Sequence, residues 1–145
     1  MDIIALWVKA GNGCGIAYIM EELSHLNRDY AFLVVRRECA VSNLSFVHEL
    51  GHLFGARHDR DADPTENKPF PFNHGYIQKQ KKVRSLMSYN NQCQASGIYC
   101  TRVNRWSDPD LKFRGSRFGV PINEDKPTDN SETLRRTSRY VANYN

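Results

Sequence analysis

Three histidines within eleven residues, at positions 48, 52 and 58, constrain this chain more than any other feature. The segment reads His48-Glu49-Leu50-Gly51-His52-Leu53-Phe54-Gly55-Ala56-Arg57-His58-Asp59. On a helix, side chains four apart project from one face, one turn on, so His48 and His52 can aim two imidazoles at one ion. Glu49 is rotated about one-quarter turn from His48, which sets its carboxylate beside such an ion and not on it. A carboxylate there can take a proton from an attacking water and return it to a leaving amine. Gly55 stands where the chain must turn to bring His58 back as a third ligand, because glycine accepts the positive φ that ends many helices. Three imidazoles are a ligand set for Zn²⁺, and three protein ligands leave a fourth position open, the mark of a catalytic site. Asp59 can receive a hydrogen bond from a ligand histidine or anchor the turn. A shuffled chain of this composition would meet the five-residue pattern in roughly 1 in 10⁵ cases.

The elements around this segment follow from periodicity. Residues 3–8 are continuously apolar and predict a strand buried on both faces. Gly11-Asn12-Gly13 marks a turn. Residues 15–20 and 31–37 predict two more strands, with a polar loop over 21–29 between them. A helix is expected from about Leu44 to Phe54, capped by Ser42 or Asn43. Leu44, Val47 and Phe54 form one of its apolar stripes and Phe46, Leu50 and Leu53 another, so it should be a central helix. Residues 59–72 hold three prolines and read as loop, and the basic run 78–84 as a solvated face. Ser107-Asp108-Pro109-Asp110 predicts a turn. Asp129 or Asn130 can cap a last helix reaching about Asn143, with Leu134, Val141 and Tyr144 inward and Thr137 in weak support.

Composition bounds the function. The net charge of +4 is too mild to argue for nucleic acid, and no base-stacking motif accompanies it. No apolar run approaches the ~18 residues of a membrane span. Four cysteines, none in a CxxC pair, suit two disulfides and an oxidising compartment. Cys14 with Cys39 and Cys93 with Cys100 is the favoured pairing, since each falls within one local segment, though three connectivities remain open. The first residues lack the basic region of a signal peptide. The chain reads as extended from the second residue, and a strand that opens so early points to upstream sequence lost or removed.

HELGHLFGARHD matches the metzincin motif HExxHxxGxxHD at each fixed position. Metzincins also carry a methionine turn beneath the metal, and Ser85-Leu86-Met87-Ser88-Tyr89 resembles it. That resemblance implies Met87 as a hydrophobic floor under the histidines and Tyr89 as a stabiliser of the transition state. The segments GCGIAY, NHGY, RSLMSYN, NRWSDPD and DNSETLRRTSRYVAN, with the histidine segment, are similar to the peptidyl-Asp metalloendopeptidase family, a secreted bacterial group. It implies an α/β zincin fold: a mixed twisted sheet over a central zinc helix in residues 1–58, and an irregular lower part with the methionine turn and a last helix in residues 59–145. It implies Zn²⁺ on His48, His52 and His58, Glu49 as general base and acid, and protein or peptide substrates cut on the amino side of acidic residues. Arg84, Arg102 and Arg105 are candidates for a cationic pocket. Against that family, the first two strands and the helix between them are expected to be absent. Two rival expectations stand beside this one: a truncated, zinc-binding but inactive module that binds protein, and, ranked last, a closed structural zinc site, which would need His74 or His25 as a fourth ligand.

Overall fold

The computed structural model describes residues 3–144, so the extended chain expected at residue 2 lies outside the described residues. The three apolar runs form one sheet from β1 (Ile4–Val8), β2 (Gly15–Ala17) and β3 (Phe32–Arg36), in the order β1-β3-β2. β1 runs parallel to β3, with Ile4 opposite Phe32; β2 runs antiparallel, with Gly15 opposite Val35. Alternation along β3 sends Leu33 and Val35 inward, where they pack with Ala40 and Leu53. Ile4, Leu6, Ile16 and Phe32 are exposed. The expectation that β1 is buried on both faces is thus corrected: among the described residues it lies at a sheet edge with β3 as its single neighbour, and four of its five residues are exposed. The loop expected over 21–29 contains a 3₁₀ turn, His25–Tyr30.

Two helices follow where one was foreseen. β3 runs directly into α1 (Arg37–Ser42), and α2 (Ser45–Leu53) carries the histidines. Neither Ser42 nor Asn43 caps α2. The Asn43 amide donates to Cys39 O at 3.1 Å and the Leu44 amide to Val41 O at 3.1 Å, so these residues close the first helix and do not open the second. Leu44 links the two in the left-handed region, at φ 57°. A disulfide ties Cys39 of α1 to Cys14 at the start of β2, and a second joins Cys93 to Cys100. Cross-links of this kind stabilise chiefly by restricting the unfolded chain.

The second half is built of short pieces. β4 (Ile77–Gln78), β5 (Val83–Arg84) and β6 (Thr101–Arg102) make a small sheet, with α3 (Asn91–Ala95) between β5 and β6. β7 (Asp108–Phe113) and β8 (Ser116–Phe118) pair as a hairpin. The turn expected at Ser107–Asp110 is therefore strand. Its turn propensity survives as an irregularity in register, where Asp108 Oδ1 accepts from the amides of Asp110 and Leu111. α4 (Asn130–Val141) begins at Asp129, whose carboxylate accepts from the Glu132 amide at 2.9 Å. Its inner stripe is Asn130, Thr133 and Thr137, all fully buried, with Leu134 and Val141 only half-buried. The stripe can be polar because backbone carbonyls satisfy it: Thr137 Oγ1 lies 2.9 Å from Phe54 O at the end of α2. Tyr144 is buried with Met20 and Ala31 as expected.

Arg57, 3% exposed, ties the irregular 59–72 loop to the rest. Its guanidinium donates to Asp63 at 2.7 Å, Glu21 at 2.5 Å and Lys68 O at 2.8 Å. Glu21 is half-exposed, so its share is small; Asp63, with only 13% of its side chain exposed, would be left as a buried charge without this partner. Arg57→Ala is expected to lower unfolding free energy by about 3–5 kcal/mol, measured by urea denaturation, while Glu21→Ala lowers it by less than about 1 kcal/mol.

Candidate metal centre

The Nε2 atoms of His48 and His58 lie 3.1 Å apart, as do those of His52 and His58, and the ligand atoms of all three histidines fall within 4.8 Å of one another. A tetrahedral ion with metal–nitrogen bonds of about 2.05 Å would separate its ligands by about 3.3 Å, so the spacing fits. The chemistry of the donors fits as well. His48 Nδ1 donates to Leu86 O and His52 Nδ1 to Ala56 O, each at 2.8 Å. With the proton held on Nδ1, each Nε2 keeps its lone pair for an ion. Burial drives all three histidines toward the neutral form: His52 is pushed down to about 3, His58 to about 4, and His48 well below its ordinary value. The lone pairs of His48 and His52 both face the Nε2 of His58, which as a neutral ring could donate to only one of them; a cation can bind all three.

Local structure explains how the third histidine arrives. α2 ends at Gly55, whose φ is +82° and where a Cβ would lie 3.0–3.1 Å from Pro69 and from Met20 O. Only glycine makes this turn without strain. Asp59 is buried and accepts from the Tyr89 amide at 2.8 Å and from Gln92 at 3.1 Å. Its two oxygens thus hold Tyr89 and Gln92, neither an imidazole nor the Gly55 turn that sequence offered as its partners. Met87 is fully buried. Its sulfur lies against Gly51 of α2, 2.9 Å from where a Cβ would stand.

Glu49 is 6% exposed and lies beside the histidines. Burial raises its pKa to about 7, with Arg102 pulling the other way. Its side chain lies against Gly15 of β2, where any Cβ would come within 2.7–2.9 Å of the carboxyl group. The Tyr89 ring packs on His58, centroids 4.2 Å apart, and its hydroxyl is held protonated, first by burial and then by the charge of Glu49. Arg84 and Arg102 share a pocket of about 520 Å³ with His48, Glu49 and Tyr89. Arg105 does not line it; it is exposed and lies over the Phe113 ring. His74 commits both ring nitrogens to the carbonyls of His58 and Thr65, and His25 packs on Tyr140, so neither joins the cluster. The carbonyls of Leu86 and Ala56, which fix the imidazoles, leave no trace in sequence because every residue has one. The close approach of Gly15 was signalled only by a glycine at the head of a predicted strand.

A helix presenting two imidazoles, a third arriving from the turn beyond it and a carboxylate alongside together make the arrangement that the metal centre of a metallopeptidase requires. The chain belongs to metallo-peptidase family M12, whose reprolysin_5 model matches residues 2–107. It is 32% identical over 144 residues to a peptidyl-Asp metalloendopeptidase of Stenotrophomonas maltophilia, covering 97% of this chain and 31% of that protein. It is 37% identical over 112 residues to the enzyme of the same name from Xanthomonas campestris, covering 77% and 24%. A Pseudomonas fragi protein of that name is 36% identical over 77 residues, covering 52% of this chain and 49% of its own length. The chain thus spans about a third or less of the first two relatives. No solved structure matches it. Among the described residues no helix is long and apolar enough to cross a membrane.

Proposed function

We propose that this chain is the catalytic part of a zinc endopeptidase of the metzincin type, and that it prefers peptide bonds on the amino side of acidic residues. The observation that carries the reading is the convergence of three neutral Nε2 atoms with a buried carboxylate beside them. His48, His52 and His58 would hold Zn²⁺. Bound there, the ion supplies Lewis acidity toward the peptide carbonyl and acidifies water.

The chain's own groups do the rest. Glu49 takes the proton of the attacking water on its carboxylate and passes it to the leaving amine. The Tyr89 hydroxyl donates to the carbonyl oxygen as charge develops there. Met87 forms the floor beneath the imidazoles. β2 has one edge unpaired, and an extended substrate adds to it as a further strand. Residues 1–58 form the part above the cleft and residues 59–145 the part below. The two disulfides favour a secreted protein.

The test is a digest of a denatured protein by the zinc-loaded chain, with products identified by mass spectrometry. New amino termini at Asp or Glu are the expected result. A folded, zinc-loaded sample that yields no fragments would leave a zinc-binding module without turnover and overturn the proposal.

A further inference from the structure

Two guanidinium groups meet in the pocket beside Glu49. Arg84 Nη1 donates to Ser88 O at 2.5 Å and Arg102 Nη2 to the same oxygen at 3.4 Å. Arg84 Nε also donates to Cys100 O at 2.9 Å, and Arg102 Nη1 to Asn43 O at 3.0 Å. Both side chains are half-buried, and neither forms a salt bridge within the described residues. Two like charges converging on one carbonyl oxygen, partly out of water and without a carboxylate in contact, repel each other. Burial, and then the neighbouring Arg84, lower the pKa of Arg102 to about 10. A protein holding only solvated arginines would pair them or turn them outward. Neutral acceptors fix these two in place, and Glu49 and Asp59 act on them only from beyond contact distance, which leaves the pocket able to take an anion in direct contact.

We infer that Arg102, supported by Arg84, is the specificity-determining residue of the cleft and receives the carboxylate side chain of the substrate residue just after the scissile bond. This rests on reading the cleft as a peptide-bond site. The walls set the position. The cavity that holds the guanidiniums also holds His48, Glu49 and the chain entering α2. A peptide with its carbonyl by Glu49 therefore sends a neighbouring side chain toward the arginines. β6, which bears Arg102, is hydrogen-bonded to β5, which bears Arg84, in register Arg84 to Arg102, so one small sheet presents both charges together. Arg105, the third candidate from sequence, lies outside this arrangement.

The experiment uses the zinc-loaded chain and two peptides that differ only in Asp or Asn after the scissile bond. The wild-type chain is expected to favour Asp in kcat/KM by about 10²-fold or more, since a site built for a charged partner rejects the isostere that lacks it. Arg102→Gln should reduce that ratio to within about 10-fold, and Arg102→Lys, which keeps the charge without the planar fork, should fall between. A purely structural arginine would lower both rates and leave the ratio alone. Arg84→Gln is the second variant, expected to lower the same ratio by a smaller factor. Retention of the wild-type ratio in both glutamine variants overturns the inference. Affinity of the wild-type chain for product peptides beginning with Asp or Asn, measured by calorimetry, separates the two levels of argument. Tighter binding of the Asp peptide without any cleavage keeps the inference and defeats the proposed activity; cleavage without discrimination does the reverse.

Discussion

Glu49→Gln is expected to lower kcat by about 10³-fold while leaving zinc at one ion per chain. Proton transfer by a positioned side chain contributes typically 10²–10⁴-fold, and glutamine has no carboxylate to accept the proton. The substitution also preserves shape, which matters here. The carboxyl group is packed against Gly15 so closely that no Cβ fits at that position, and a smaller residue would leave a gap beneath the edge strand. Burial raises the Glu49 pKa to about 7, with the Arg102 charge acting against it. Burial thus makes it more basic than a solvated carboxylate, and a cation held by the neighbouring histidines acts, like Arg102, to keep it ionised and able to accept a proton. Metal content by atomic absorption, alongside the rate, decides the assignment. If the variant loses its zinc together with its activity, Glu49 belongs to the groups that hold the ion, and the division of labour drawn here is wrong.

What sequence could reach, and what it could not, divides along physical lines. The spacing of His48, His52 and His58 encodes their convergence, because helical geometry and one obligatory glycine turn leave little freedom between them. The pairing of Cys14 with Cys39 and of Cys93 with Cys100 was legible from locality. Periodicity failed where burial depends on neighbours: the apolar run of β1 reads as a doubly buried strand, yet Ile4 and Leu6 are exposed because only β3 lies beside it. It failed again on α4, where Asn130 and Thr133 join Thr137 at the inner positions while Leu134 and Val141 stay half-buried. Thr137 donates to Phe54 O at the end of α2, a partner that no pattern within α4 contains, while Thr133 bonds back to Asp129 O at the start of its own helix. α1 was missed because six residues are too few to show a period. The cleft arginines were legible only as candidates: Arg84, Arg102 and Arg105 look alike in sequence, and strand pairing alone brings the first two to one place and carries the third away.

On the proposed reading, the same convergence that makes the site legible couples folding to the ion. With free zinc at 1,000 times its dissociation constant, binding to the native state alone adds about 4 kcal/mol to the unfolding free energy. Removing zinc with a chelator should lower the stability of the wild-type chain by that amount, read as a fall in the urea midpoint at unchanged slope. His52→Ala should abolish the difference. Its imidazole is 4% exposed, oriented by the Ala56 carbonyl, and lies with its Nε2 3.1 Å from that of His58. Without it two nitrogens remain, and two imidazoles hold zinc too weakly to stabilise the fold at the same free concentration. The variant also loses packing beside Ala56, so its zinc-free stability falls as well; the informative quantity is the response to zinc and not the absolute value. A His52→Ala chain that still gains several kcal/mol from zinc would place the ion elsewhere and dissolve the constellation on which the proposed activity rests. A wild-type chain with no response, shown by metal analysis to bind the ion, would mean instead that the unfolded chain binds zinc as tightly as the native one. The first of these results would return His74 and His25 to consideration, although both His74 nitrogens are already taken up by backbone carbonyls.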